Sequence, residues 1–276
     1  VYKRQGVAGS GKSSLITTAF EKDEQAIFID QKPAHASNRS NLLTYLNIFD
    51  DVRAFFSKQT GLKKSMFSYN SEGACPECHG KGVIKTELAF MPDFSQTCEM
   101  CGGTRYRPEV LEAKVNGYSI ADILSLTVQE AIEKFKDDNH IVQPLQALAN
   151  TGLYYMTLGQ SLDTLSGGEI QRVKLSKYLT ETVHDAIFIF DEPTTGLHED
   201  DLPILIECFN HLIEEGNTVI LIEHNLTMMT QADWFIDIGP YAGDKGGQLL
   251  YSGEPKGLLD IDQSVTAKHL KRYIQS

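Results

Sequence analysis

Two short apolar runs stand out in the pattern of hydrophobic and polar positions along the chain. "AIFIF" at 186–190 leads into two carboxylates, and "TVILI" at 218–222 leads into "EHN". Continuous runs of Ile, Val and Phe predict strands buried on both faces of a parallel sheet. Between them, "DDLPILIECFNHLIEEG" at 200–216 has helical apolar spacing and ends at Gly216. The pattern predicts a strand–helix–strand unit and an α/β fold.

Shorter patterns predict the remaining elements. Segment 119–135 predicts two short helices, and "VIKTELAF" at 83–90 predicts one strand of a hairpin. After Gly239 we expect a turn-rich edge strand within 240–255 and then a short C-terminal helix. Cys208 occupies an apolar position of the long helix and is assigned to the core. At 276 residues the chain is long enough for one large domain or two smaller ones.

The first chemical motif is "GVAGSGKS" at 6–13, which matches the phosphate-binding loop pattern G-x-x-x-x-G-K-[ST]. In such a loop, backbone N–H groups surround the phosphates, Lys12 reaches the β- and γ-phosphates, and Ser13 ligates magnesium. A chance match to a glycine-rich turn is the alternative, which the later motifs disfavour. Only "VYKRQ" precedes the loop, so we expect its supporting strand to be missing and the chain to be truncated there. The candidate nucleotide-binding residues are Gly6, Gly9, Ser10, Gly11, Lys12, Ser13 and Ser14.

The side chains that follow the two apolar runs suit phosphoryl chemistry. Asp191 is predicted to hold the magnesium shell, and Glu192 to orient the attacking water as general base. His224 is predicted to contact the γ-phosphate. The alternatives are a strand that ends in a solvated acidic turn and a structural histidine.

"LSGGEIQRVKLSKYL" at 165–179 decides the class of ATPase. Ser166 and two glycines open a helix whose N-terminal donors form a second anion site, which is needed only if two cassettes face each other. The motif order resembles the ATP-binding cassette family. The resemblance implies that Ser166, Gly167, Gly168 and Glu169 contact the nucleotide of an opposite cassette. It also implies that Gln31 of "IDQ" links the γ-phosphate and Mg²⁺ to the helical subdomain, with ATP as the nucleotide.

Four cysteines form two C-x₂-C pairs, at Cys75 and Cys78 and at Cys98 and Cys101. They can form a zinc site or two disulfides. In a cytosolic ATPase disulfides do not persist, so we predict a closed, structural Zn²⁺ site without an open coordination position. Its place between "IDQ" and "LSGGE" disfavours a transporter cassette, and the chain lacks the heptad arms of a chromosome-organising ATPase.

The combined motifs resemble the UvrA family of bacterial nucleotide excision repair, specifically its C-terminal cassette. The resemblance is carried by "IDQKP", "NRSN", "CPECHGKG", "MPDF", "CEMCGGTRY", "LGQSLDTLSGGEIQRVKL", "DEPTTGLH", "NTVILIEHN" and "ADWFIDIGP". It implies an ATPase that senses damage in double-stranded DNA and works with a second cassette and other repair subunits.

The chain departs from the family pattern in "AHASNRSNLLTYLN", in a short stretch after Ser13, and in having one cassette. A UvrA-like paralogue for resistance to DNA-binding drugs therefore stays open. So does a zinc-supported DNA- or protein-binding module with an inactive, truncated nucleotide site.

We predict an α/β fold in which a P-loop ATP-binding cassette ATPase core carries an inserted helical signature subdomain with a four-cysteine zinc module. The predicted core is discontinuous, over 1–45 and 183–260. The signature subdomain spans 46–182, with the zinc module at 73–106, and 261–276 forms a C-terminal helical tail.

The net charge of −12 limits nucleic-acid contact to a local patch. Segment 53–71 carries four cations and no acid, so we predict contacts of a loop there with duplex DNA, together with residues of "TRY". A solvated loop is the alternative. No apolar run is long enough to cross a bilayer, and we expect a cytoplasmic protein without a membrane partner. The candidate DNA contacts are Lys58, Lys63, Lys64, Arg105 and Tyr106.

Overall fold

The computed structural model describes residues 2–6, 12–32, 40–86, 94–181, 183–241 and 247–275. The chain divides into two compact units. The core unit contains Val1–Lys32, Asn150–Gly152 and Ser166–Ser276, and the inserted unit contains Pro33–Ala149 and Leu153–Leu165. This division differs from the predicted boundaries, because it assigns the signature helix and the C-terminal helix to the core unit.

The strands of the described residues are β1 Tyr2–Gly6, β2 Ala26–Ile29, β3 Val83–Thr86, β4 Phe94–Thr97, β5 Ile187–Asp191, β6 Thr218–Ile222, β7 Trp234–Gly239 and β8 Gln248–Gly253. The α-helices are α1 Lys12–Phe20, α2 Leu42–Tyr45, α3 Phe49–Thr60, α4 Pro108–Glu112, α5 Ile120–Ser125, α6 Val128–Lys134, α7 Asn139–Leu148, α8 Gly167–Tyr178, α9 Leu202–Glu214, α10 Leu226–Thr230, α11 Pro255–Leu258 and α12 Val265–Gln275. Helices α5 and α6 confirm the two helices predicted over 119–135.

The core unit is built on a six-stranded sheet in the order β2-β5-β6-β1-β7-β8. All neighbours are parallel except β7 and β8. The predicted strand–helix–strand unit is confirmed as β5, α9 and β6, and Gly216 follows α9 with a φ of 85°. Strand β8 is the predicted edge strand, and it pairs antiparallel with β7.

The expectation of a missing strand before the phosphate loop is wrong. Strand β1 lies inside the sheet, where Tyr2 aligns with Ile220 of β6 and with Trp234 of β7. The sequence pattern missed it because "YKRQG" has no apolar run. Pairing on both sides satisfies backbone groups whatever side chains the strand carries.

Alternation along β5 and β6 sends side chains to both faces of the sheet, as expected for buried parallel strands. Phe188 and Phe190 pack with Leu205 and Phe209 of α9. Ile189 points to the other face and packs with Ile16 of α1. Each face is therefore covered by a helix.

Cys208 lies in the α9 face of this core, as predicted. Its Sγ donates to Asn150 O at 3.2 Å, and burial raises the pKa of its thiol to about 12. A protonated, buried thiol of this kind acts as a small apolar side chain.

The inserted unit contains the antiparallel strand pair β3–β4 and helices α2–α7. Strand β3 covers the first part of the strand predicted over 83–90, and residues 87–90 lie outside the described residues. Its core is rich in aromatic side chains, among which Phe56, Phe67, Tyr69 and Tyr106 are fully buried. Helices α5 and α6 both begin with capping boxes. No helix among the described residues is long and apolar enough to span a membrane.

Candidate nucleotide site and four-cysteine centre

The phosphate loop joins β1 to α1. Strand β1 ends at Gly6, and Lys12, Ser13 and Ser14 form the first turn of α1. Lys12 is buried, with 6% of its surface exposed, whereas both serines are exposed. The predicted loop residues Gly9, Ser10 and Gly11 lie outside the described residues.

Lys12 lies among the carboxylates and the imidazole that follow β5 and β6. Its Nζ is 2.9 Å from Nε2 of His224. Burial lowers the pKa of Lys12 below 10.5. The nearby carboxylates act in the opposite direction but have the smaller effect; they are Glu192, Asp191, Asp237 and Glu223. The structure therefore gathers a cation and several anions at the carboxyl ends of the central strands.

Asp191 and Glu192 take different positions at the end of β5. Asp191 is the last residue of the strand, and Glu192 has a left-handed φ of 50°. Such a φ is uncommon outside glycine and marks local strain. The N–H of Glu192 donates to Ile222 O at 2.8 Å, and its Oε1 lies 3.6 Å from His224 Nε2. The strained turn thus presents the predicted base beside the predicted phosphate-sensing histidine.

Gln31 lies close to the same strand end. Its Nε2 donates to Asp191 O at 3.2 Å. The side chain of Gln171, on α8, makes two similar bonds, donating to Ile29 O at 2.9 Å and to Asp191 O at 2.8 Å. Gln171 therefore ties the signature helix to the strands that end in Ile29 and Asp191.

Close approach to backbone requires glycine at Gly168, whereas at Gly167 the nearest atom is the flexible end of Gln31. A Cβ at Gly167 would lie 2.5 Å from Gln31 Oε1, and one at Gly168 would lie 2.2 Å from Thr195 O. Ser166 caps α8 in a capping box, and its N and Oγ both donate to Glu169 Oε2 at 2.8 Å. An anion bound at this helix end would compete with Glu169 for the same donors.

Sequence reasoning missed Gln171 and Glu223. Gln171 is 1% exposed and Glu223 is 2% exposed. For Glu223 the available signal was a charged residue directly after a strand that was predicted to be buried; for Gln171 the sequence analysis offered no such signal. Both residues use their side chains to bind backbone groups of the site.

The four predicted zinc ligands form one buried cluster. Their sulfurs all lie within 4.8 Å of one another. Cys75 and Cys98 have Sγ atoms 3.8 Å apart, and Cys78 and Cys101 have Sγ atoms 3.7 Å apart. A tetrahedron with zinc–sulfur bonds of about 2.3 Å has edges of roughly 3.8 Å, whereas a disulfide is about 2.05 Å long. The cluster fits tetrahedral zinc, and none of the cysteines is in a disulfide.

The cysteine cluster is packed closely against the segment that follows α3. A Cβ at Gly73 would lie 1.8 Å from Met66 O, and one at Gly80 would lie 1.8 Å from Tyr69 O. The amide of Gly82 donates to Cys78 Sγ at 3.2 Å. Glycine is needed here because the backbones touch.

The predicted basic loop is largely helical in the structure. Arg53 and Lys58 lie on α3, and Lys64 begins a 3-10 turn. Asp50, which precedes the basic segment, forms ion pairs with both Arg53 and Lys64. Segment 53–71 itself contains no acid, but Asp50 just before it pairs with two of its four cations, and Lys58 and Lys63 are exposed.

The predicted stacking role of Tyr106 is also wrong. Its side chain is fully buried and its hydroxyl donates to Phe67 O at 3.0 Å. Burial raises the pKa of this hydroxyl well above its usual range. The buried ring leaves no face for a base or sugar.

Arg105 is partly exposed beside the cysteine cluster. Its guanidinium lies 5.2 Å from the ring centroid of Tyr69, and its carbonyl accepts Cys75 N at 2.9 Å. The residue has a left-handed φ of 75°. It borders a cavity of about 300 Å³ that is also lined by Gly103, Thr104, Ala121, Leu124, Ser125, Thr157, Gly159 and Gln160.

The chain is similar to known proteins over most of its length. A family model described as ABC transporter matches residues 5–195. UvrABC system protein A of Staphylococcus aureus strain COL is 42% identical over 98% of this chain, and that of Clostridium perfringens strain 13 / Type A is 41% identical over 98%. The chain spans 32% of the length of each of these relatives.

Among solved structures, UvrA2 from Deinococcus radiodurans matches 98% of this chain and 36% of its own, with 38% identity and a TM-score of 0.89. The chain belongs to the ABC transporter family of ATP-binding cassettes, and it resembles the UvrA proteins over nearly all of its own length.

Proposed function

We propose that the chain is an ATP hydrolase unit that couples its nucleotide state to the recognition of damaged DNA in nucleotide excision repair. The observation that carries the hydrolase assignment is the meeting of Lys12, at the start of α1, with Glu192 and His224, which follow the adjacent strands β5 and β6. These groups match the cation, base and phosphate sensor that phosphoryl transfer requires.

In the proposed reaction Lys12 binds the β- and γ-phosphates, and His224 contacts the γ-phosphate. Ser13, Gln31 and Asp191 would hold Mg²⁺, which neutralises charge on the phosphates. Glu192 orients the attacking water and accepts its proton. The 3.6 Å separation of Glu192 and His224 supports this assignment, because water and γ-phosphate must lie side by side.

The signature residues Ser166, Gly167, Gly168 and Glu169 are proposed to serve the γ-phosphate of a second cassette. In this structure Ser166 N and Oγ donate to Glu169, so the incoming γ-phosphate would have to displace that carboxylate. The composite site requires a partner cassette, either in the same polypeptide or in another subunit.

The four-cysteine cluster is proposed to hold one structural Zn²⁺. Four sulfur ligands close the coordination shell, so the metal has no position for substrate. Its proposed role is to order the backbone that carries Arg105. The bond from Cys75 N to Arg105 O supports this role, because it joins a ligand residue directly to that arginine.

Contact with duplex DNA is proposed through Lys58, Lys63 and Arg105, with a contribution from Lys64 that Asp50 weakens. Arg105 lies over the ring of Tyr69, and Tyr69 packs against Phe49 of α3 with ring centroids 5.6 Å apart. This packing supports a surface that includes both Arg105 and α3. Such a surface would bind phosphates without reading base sequence.

The role in repair rests on similarity to proteins named UvrABC system protein A. The experiment uses this chain together with a partner cassette and measures ATP turnover with intact and lesion-bearing duplex. We expect lesion-bearing duplex to change turnover more than intact duplex of the same sequence. Equal turnover with both duplexes would contradict damage sensing, and absent turnover in the assembled protein would contradict the hydrolase assignment. A selective response to drug-loaded duplex would instead favour the paralogue for drug resistance.

A further inference from the structure

Glu223 is a buried carboxylate between the two functional loops of the nucleotide site. It follows β6 directly, and 2% of its surface is exposed. Strands β5 and β6 are parallel, and Asp191 aligns with Ile222. The segments that leave these strands therefore run side by side, with Glu223 between them.

The carboxylate accepts hydrogen bonds from three backbone amides. Its Oε1 accepts Thr194 N at 2.9 Å. Its Oε2 accepts His224 N at 2.7 Å and Asn225 N at 2.9 Å. One oxygen thus binds the turn after Glu192, and the other binds the start of the histidine segment.

Such a carboxylate is costly to bury unless it is fully hydrogen-bonded. Charge-assisted bonds to backbone N–H groups are roughly twice as strong as neutral ones. A side chain that served only the core could be apolar at this position, as its neighbours in β6 are. The burial of a charge with three amide partners therefore indicates a requirement for fixed loop geometry.

The geometry that is fixed is that of Glu192. Its left-handed φ of 50° persists only if the surrounding structure holds the turn. Glu192 N donates to Ile222 O, Thr195 N donates to Glu192 O at 3.1 Å, and Thr194 N donates to the Glu223 carboxylate. Since the same carboxylate binds His224 N, it sets the position of Glu192 relative to His224.

We propose that Glu223 is a positioning residue for hydrolysis, which holds the base Glu192 and the phosphate sensor His224 in register through backbone amides. This inference rests on the proposed hydrolase function. Misplacement of a reacting group by about 1 Å costs about 100-fold in rate. Removal of the Glu223 bonds should therefore lower kcat while leaving the phosphate loop, and hence nucleotide affinity, largely intact.

The test compares Glu223→Gln with the matched control Glu214→Gln, which removes one exposed carboxylate from α9. In Glu223→Gln the new side-chain amide keeps one acceptor but turns an NH₂ group towards backbone donors. Hydrogen exchange of the nucleotide-free chain is measured on peptides that cover 192–195 and 223–226. ATP affinity and kcat are then measured with the partner cassette present.

We expect faster exchange in both peptides, unchanged exchange in β7 and the inserted unit, and kcat lowered about 100-fold with ATP affinity within about threefold of the parent. The control should match the parent chain. Glu223→Asp, which keeps the charge on a shorter side chain, should give a smaller change and covers the case in which Glu223→Gln fails to fold.

Unchanged exchange in both peptides would overturn the proposal, as would equal losses of affinity and kcat. If the parent protein does not hydrolyse ATP, the hydrolase assignment fails by itself. The exchange measurement still decides whether Glu223 holds the two loops.

Discussion

Nζ of Lys12, at the start of α1, lies 2.9 Å from Nε2 of His224, which is 212 residues later in the chain. The imidazole nitrogen accepts from the ammonium in this arrangement, so its proton is assigned to Nδ1. The two side chains that are proposed to bind the γ-phosphate thus contact each other. Nucleotide that enters the site must take over this contact.

Lys12→Met is expected to abolish tight ATP binding without lowering stability. Burial lowers the pKa of Lys12 in the folded chain below its unfolded value of 10.5. Between the folded and the unfolded pKa, the unfolded chain therefore binds more protons than the folded chain. The buried charge of Lys12 destabilises the folded chain at pH values below the folded pKa, and this destabilisation disappears as pH rises towards 10.5. Thermal melts of parent and variant should therefore converge at alkaline pH, and nucleotide titration checks binding. A variant that melts lower at neutral pH would contradict this destabilisation.

Glu192→Gln is expected to lower kcat by about 100-fold or more while ATP affinity stays close to that of the parent. The amide retains the shape of the side chain but cannot accept the proton of the attacking water. Turnover and nucleotide affinity are measured on the same preparation with the partner cassette. Full turnover in this variant would remove Glu192 from the role of base.

Cys98→Ser is expected to release one zinc per chain and to disorder the β3–β4 strand pair. The control is Cys208→Ala, which alters a cysteine of the core unit and should keep its zinc. Protons compete with the metal for the cysteine sulfurs. The pKa of Cys98 is raised mainly by desolvation and also by its hydrogen bond to the Glu77 carboxylate. Zinc retention should therefore fall as pH is lowered. Elemental analysis of chelator-free protein checks the stoichiometry, and the absence of zinc in the parent chain would refute the site.

ATP turnover per chain is expected to rise with protein concentration or with addition of a partner cassette. The reason is that Ser166 and its neighbours are proposed to complete the site of another cassette rather than their own. The measurement combines steady-state turnover with a sedimentation analysis of the same samples. Turnover that is independent of concentration in a monomeric sample would contradict the composite site.

The pair Lys58→Ala and Lys63→Ala is expected to flatten the slope of log K against log salt for duplex binding by up to about 1.8, or about 0.9 for each phosphate that is no longer neutralised. Lys64 is left in place because Asp50 already pairs with it. The control pair Lys22→Ala and Lys256→Ala makes the same charge change in the core unit. Both proteins must retain zinc, and an unchanged slope in the first pair would assign these lysines to solvated surface.

The amino-acid sequence by itself determined the parts of this protein whose chemistry is local. The spacing of the four cysteines predicted one cluster, because paired thiols two residues apart can bind one ion. The apolar runs before Asp191 and His224 predicted β5 and β6, since strands buried on both faces require such side chains.

Only the tertiary structure decided which polar side chains are interior and what they bind. Strand β1 has a polar sequence and is held by backbone pairing on both sides, which no side-chain pattern records. Tyr106 was predicted at a surface but is buried. Its hydroxyl can be buried because it donates to Phe67 O, which is 39 residues away in the sequence. Asp50 pairs with Lys64, which only the packing of the segment after α3 brings to it. Glu223 gains its proposed role from amides on two separate segments, and parallel strand register is what brings those segments together.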